Sequence, residues 1–138
     1  MRVRLSALFV KFRPLPVLAG VLLAALALLA VREGSWRTNY PEAGNETPSP
    51  DGAYVAEPRG LPTSLGLGSG VFLRKRWDLL RSLHPRLVFV GSCEQLSLRW
   101  FGQRRLVITC EVRAGEPALL QDLVDDVRIE LVVDRHFG

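Results

Sequence analysis

The chain has 138 residues, of which 48% are hydrophobic and 23% charged, and a formal charge of +4. That length supplies one domain once an N-terminal apolar segment is set aside. Four of the eighteen basic residues (Arg2, Arg4, Lys11 and Arg13) precede that segment, and the other fourteen balance fourteen acidic residues. The part available to fold is formally neutral, so it lacks the basic footprint of a nucleic-acid-binding domain.

Residues 15–31 read LPVLAGVLLAALALLAV, seventeen positions without a charge. At the helical rise they reach about 26 Å, close to the hydrocarbon thickness of a bilayer. Basic residues resist translocation, so the leader 1–14 is expected in the cytoplasm. Everything from Arg32 onward is then expected outside, in the periplasm of a bacterial cell. Ala25-Leu26-Ala27 matches a signal-peptidase site, and cleavage near Ala27 would release a secreted product. Residues 28–31 carry the apolar run past that site, and Arg32 ends it as a membrane helix ends. This favours a retained anchor, a single transmembrane helix over 15–31.

Residues 32–50 (REGSWRTNYPEAGNETPSP) carry no periodic apolar pattern and read as a flexible tether. Trp36 and Tyr40 are either interfacial aromatics at the headgroup level or ordinary linker residues. An extracytoplasmic β domain is expected over 51–138, entered through the turn Ser49-Pro50-Asp51-Gly52. A short strand follows at 53–57, stopped by Pro58. A Gly-rich loop is expected at 61–70, a strand at 71–75, a helical turn or connection at 77–83, and a central strand at 86–91.

Leu96, Leu98 and Trp100 alternate with Ser97 and Arg99, and Leu106, Ile108 and Cys110 alternate in the same way beyond a turn at 101–103. For the two apolar faces to coincide, Leu98 is placed opposite Leu106 and Leu96 opposite Ile108, across a three-residue loop. Gly102 is available for the positive φ of such a loop. Residues 118–126 are expected to form a short helix with Leu119, Leu120 and Leu123 inward. Residues 127–133 alternate again as a last strand. The sum is a mainly β fold: a small antiparallel sheet of about five or six strands with one short helix, behind the transmembrane helix.

Cys93 and Cys110 are the only cysteines, and an even count outside the cytoplasm favours a disulfide over two buried free thiols. In the register above Cys110 faces Glu94, and a bulge around Gly91-Ser92 brings the sulfurs together. Closing such a loop is worth about 3 kcal/mol in the chain-entropy picture.

Little else carries chemistry. Residues 66–70 (GLGSG) look superficially like a phosphate-cradling loop, but strand-like VFLRK follows where a helix or Gly-Lys-Ser/Thr belongs. Arg74, Lys75, Arg76 and Trp77 form a basic cluster with an aromatic neighbour. They are candidates for contact with an anionic lipid, a cell-wall polymer or a protein, the alternative being a solvated strand end. His84 and His136 stand without metal-ligand spacing, and there is no G-x-S-x-G elbow. No catalytic, cofactor-binding or metal-binding residue is assigned.

The SPDG-A-Y-V-A opening, the Gly-rich stretch, residues 71–74 (VFLR), Cys93, the turn at 98–102 (LRWFG) and residues 106–110 (LVITC) carry a resemblance. Together they resemble small uncharacterised bacterial envelope proteins with an N-terminal apolar segment and a compact β domain with a Cys pair. The resemblance covers roughly residues 49–110. It implies fold and location and brings no activity with it.

The expectation is an inner-membrane protein with its N-terminus in the cytoplasm and its domain in the periplasm. It would act as a non-catalytic binding or structural module, with the membrane and an envelope protein as partners and no nucleic acid. The alternatives are a periplasmic immunity or inhibitor protein, and a secreted hydrolase with a cryptic site.

Overall fold

The computed structural model describes residues 14–63 and 66–135, so the basic leader and His136 lie outside the described residues. The chain divides into two units, Met1–Arg32 and Glu33–Gly138. Helix α1 (Pro14–Asn39) begins in the first unit, where its apolar side chains, Leu18, Leu22, Leu26 and Leu28 among them, are exposed. It is long and apolar enough to cross a membrane, judged by length and composition.

The helix ends eight residues past Val31, which corrects the expected tether. The sequence of its last turns, with Gly34, Ser35, Thr38 and Asn39, has poor intrinsic helix propensity. Tertiary packing supplies what propensity does not. Trp36 is buried, with its ring 4.9 Å from that of Phe72 and 4.6 Å from that of Tyr40. Pro41 stops the helix by disfavouring the α conformation at Tyr40. The rest of the segment is also engaged, since Glu42 bridges to Arg59 and Thr47 opens a strand.

The second unit is mainly β. Its strands are β1 (Thr47–Pro48), β2 (Tyr54–Thr63), β3 (Gly66–Lys75), β4 (Arg86–Trp100), β5 (Arg105–Leu119), β6 (Leu123–Val124) and β7 (Val127–Asp134). They form one seven-stranded mixed sheet in the order β1-β2-β3-β4-β5-β7-β6. Strand β2 continues through Pro58, where a stop was expected. Gly60 donates its N–H to Pro41 O and Pro58 O accepts from Ala43 N, so the even positions of β2 turn their backbone groups away from β3. The missing N–H of Pro58 costs no bond to that neighbour. The Gly-rich stretch is likewise strand: Gly66, Gly68 and Gly70 pair with Thr63, Leu61 and Arg59.

Two further expectations are revised. Residues 118–126 form no helix. They finish β5 and then turn through Asp125 (φ 52°) between β6 and β7. The last strand also pairs parallel to β5, with Leu106 beside Ile129 and Ile108 beside Leu131. The eight steps from Leu119 to Val127 span at most about 29 Å, whereas a straight 15-residue strand runs about 48 Å. Strand β5 must therefore curl for β7 to lie beside its beginning. Bulges between Val90 and Gln95 in β4 and the positive φ of Gly115 in β5 provide the bend.

The curled sheet encloses the main core. Tyr54, Ala56, Val71, Leu73, Phe89, Leu106, Ile108, Cys110, Val127 and Ile129 are all buried on one face. The apolar alternation of 106–110 and 127–129 is thus as expected. The hairpin register differs by two residues, with Leu98 opposite Ile108 and Leu96 opposite Cys110. Phe101 N donates to Arg105 O, which keeps the loop at three residues but moves it to 102–104. A two-residue shift preserves every face, so alternation alone cannot distinguish the registers.

The disulfide is present: Cys93 and Cys110 are bonded with their Cα atoms 5.4 Å apart. Glu94 is the extra residue of the bulge that brings them together, because Cys93 pairs with Val112 and Gln95 with Glu111.

Candidate functional site

The opposite face of β2 and β3 carries a second, smaller apolar cluster of Trp36, Leu61 and Phe72. Beside it lies a group of charges that sequence reasoning missed. Glu57 and Arg59 are 1% and 2% exposed. Both are odd-numbered β2 residues, so they share the face that the end of α1 covers. Glu57 Oε2 accepts from Arg59 Nη2 at 3.3 Å, while its Oε1 accepts from Arg74 Nε and pairs with the Arg81 guanidinium, whose Nε lies 3.1 Å away. Glu46 completes the far side, 3.4 Å from Arg74 and 2.6 Å from Arg81. Arg59 Nη1 donates to Tyr40 O, just beyond the end of α1. Three arginines and two glutamates thus tie together the segment after the helix, both strands, and the connection that follows β3.

The only trace of this in the sequence is the Glu57-x-Arg59 spacing, which sets opposite charges on one strand face. Strand β3 makes room for the apolar neighbour Leu61. Gly70 lies opposite Arg59, and a Cβ there would sit 2.9 Å from Leu61 Cγ and 3.2 Å from Leu87 Cδ1. Arg59 Nε and Trp36 Nε1 are buried with no hydrogen-bond partner, so this layer has no donor-accepting capacity to spare.

The basic cluster expected to meet a partner is divided by this network. Arg74 is turned onto Glu57 and Glu46 and keeps 12% of its side chain exposed, at the rim of a surface hollow. Lys75, Arg76 and Trp77 remain exposed and line a cleft of about 480 Å³ with Gly52, Tyr54 and Arg104. A second hollow of about 200 Å³ shares Tyr54, Lys75 and Trp77 and adds His84, Arg86 and two acids, Asp78 and Asp125. Lys75 Nζ lies 5.9 Å from the centre of the Trp77 ring.

The wall of the cleft is held by a polar lattice around the turn between β1 and β2. Gly52 N donates to Ser49 O, closing the turn, and Gly52 takes a φ of 71°. Asp51 Oδ1 accepts from the Ser49 hydroxyl at 2.8 Å and from Ala53 N at 3.1 Å. Those bonds, with the Arg104 guanidinium beside them, pull the Asp51 carboxyl down to about 2. Arg104 also binds Asp126, which accepts from the Tyr54 hydroxyl at 2.8 Å. That hydroxyl holds the Asp126 carboxyl below its ordinary value, and burial pushes the Tyr54 phenol up. Arg104 stacks on Tyr54 at 5.0 Å, so the hairpin loop 102–104 is fixed to the turn at Asp51.

No family model, curated protein or solved structure matches this chain.

The chemistry of the cleft therefore has to be read from its own residues. It presents two exposed cations, an indole face and a tyrosine hydroxyl already committed to Asp126. Such a lining suits an anionic surface or ligand better than a nucleophilic reaction. His84 Nδ1 lies 3.8 Å from Asp78, and His84 is an exposed residue. Among the described residues no group of three or more His, Cys, Asp or Glu is placed to hold a metal ion.

Proposed function

We propose that this chain is a membrane-anchored, extracytoplasmic module of a bacterial envelope that acts by binding rather than by catalysis. The observation that carries the reading is the pairing of two features in one short chain. An exposed apolar helix precedes a β domain closed by the Cys93–Cys110 disulfide, a bond that persists in oxidising compartments. The basic leader sets the orientation, with the N-terminus in the cytoplasm and the domain in the periplasm. The exposed Lys75, Arg76 and Trp77 at the cleft supply the binding surface, and the lattice of Asp51, Tyr54, Arg104 and Asp126 holds its wall rigid.

Fractionation tests the anchor. The full-length mass is expected in the membrane fraction after a carbonate wash, with release only by detergent. A soluble periplasmic product beginning near Leu28 would show instead that the segment is a cleaved signal.

A further inference from the structure

We propose that the connection between β3 and β4 docks on the headgroup layer of the bilayer that holds the chain. Trp77 and Leu79 enter the interface there, and Lys75, Arg76 and Arg86 face anionic lipid phosphates. This rests on the membrane-anchored reading given above.

Trp77 and Leu79 are 75% and 86% exposed, two large apolar side chains in one short connection. Their exposure is not that of a loose loop. Arg81 is clamped to Glu46 and Glu57, and the next residue, Ser82, donates both its backbone N–H and its hydroxyl to Glu33 Oε1, at 3.0 and 2.8 Å. Part-buried hydrogen bonds thus fix the base of the connection while its tip carries indole and isobutyl groups outward.

Glu33 locates that base. It is the second residue after Val31, where the uncharged run ends, so on the anchored reading it sits at the edge of the hydrocarbon. Leu79 is three residues from Ser82 and hence within about 11 Å of it along the chain. That brings the tip within reach of the interfacial layer, where tryptophan is favoured because its ring is apolar and its N–H polar.

The charges agree. Lys75, Arg76 and Arg86 are exposed around the tip, and Asp78 is the one acidic residue between Lys75 and Arg86. Asp78 is half-buried and faces His84. Asp125 is the exposed acid that lines the same hollow, so three outward cations face one outward carboxylate and the surface stays net positive, as contact with anionic lipid requires.

The test uses the full chain reconstituted into vesicles of phosphatidylcholine with phosphatidylglycerol. Trp77→Phe leaves Trp36 and Trp100 in place, so the difference in emission between wild type and W77F isolates Trp77. That component is expected to be quenched by lipids brominated near the headgroup and shielded from aqueous iodide. Its shielding is expected to be lost in phosphatidylcholine alone, or in the full chain carrying Lys75→Gln, Arg76→Gln and Arg86→Gln together. A Trp77 component open to iodide and insensitive to bromolipid, in a chain that still floats with the vesicles, overturns the docking alone. That result would leave the patch to a protein partner. A chain that fails to float after a carbonate wash overturns the anchor reading first. Equal shielding with and without phosphatidylglycerol overturns the role given to the basic residues.

Discussion

Replacing Glu57 by glutamine keeps the volume of the side chain and removes its charge from the centre of three arginines. Arg74 and Arg81 are 12% and 23% exposed, and both retain Glu46. Arg59 is 2% exposed and is left with Tyr40 O and with Glu42, whose carboxylate lies 3.7 Å away. The loss therefore falls mainly on Arg59, a buried cation whose one remaining carboxylate, on Glu42, is longer-range and 71% exposed. Hydrogen bonds to charged groups contribute about 1.5–3 kcal/mol each, and breaking a buried pair by removing one partner costs about 3–5 kcal/mol. Because Arg74 and Arg81 keep Glu46 and Arg59 keeps the more distant Glu42, the expectation is the lower end, about 3 kcal/mol. Arg59→Met removes the stranded cation while keeping a long apolar stem. In the double variant part of the loss is expected to return, with a coupling of about 1–3 kcal/mol. Urea unfolding of the full chain in detergent, followed by tryptophan fluorescence, measures all four corners of the cycle. Trp36 is buried in the same layer and reports on it directly. A Glu57→Gln cost below about 0.5 kcal/mol with no coupling to Arg59 would refute the reasoning.

Three other outcomes follow from the same structure. Reducing the Cys93–Cys110 bond, which spans 17 residues, is expected to lower unfolding stability by about 3 kcal/mol, and an unchanged urea midpoint would contradict this. The Asp51 carboxyl is held at about 2, below its unfolded value, so its contribution is present above about pH 4 and lost as pH falls toward 2. The stability difference between wild type and Asp51→Asn should accordingly be flat from pH 7 to 5 and shrink below pH 4; a difference that persists at pH 2 would count against the lattice. Gly70→Ala places a methyl against Leu61 and is expected to destabilise by about 1–3 kcal/mol in the same urea assay, whereas a neutral result would show that Leu61 has room to move.

The parts legible in the sequence were those in which local pattern and final environment agree. Leu106, Ile108 and Cys110 alternate with more exposed partners because one face meets the core, and the same holds for Val127 and Ile129. The cysteine pair was legible for a chemical reason, since two thiols that are the only ones in the chain have each other to react with. Where the deciding contact is distant, the pattern was silent. Residues 32–39 look like a linker because the helix there is held by Phe72 and Ser82, far along the chain. Gly66, Gly68 and Gly70 show no strand alternation because glycine has no side chain to alternate, yet the bareness of Gly68 and Gly70 admits Thr63 and Leu61 on the facing strand. Leu119, Leu120 and Leu123 satisfy a helical spacing, but Leu120 N donates to Val88 O and the backbone there completes the sheet. Strand direction leaves no trace in alternation, which is why the parallel pairing of β7 was missed.

Of the candidate site, the exposed cations and Trp77 were visible as a basic run, whereas the inward turn of Arg74 was not. That turn depends on Glu57, which lies in a strand expected to end one residue later at Pro58. An edge-facing proline has the same sequence signature as a strand stop, and only the position of Pro41 and Ala43 beside it separates the two.

The central claim, an anchored domain facing away from the cytoplasm, is tested most directly by reporters fused after Gly138. Alkaline phosphatase becomes active only after export, and a green fluorescent protein carried out by the general secretory route stays dark. High phosphatase activity with dark fluorescent fusions, in membranes that hold the full-length mass, is the result this account predicts. Bright fluorescence with inactive phosphatase would place the domain in the cytoplasm and contradict it.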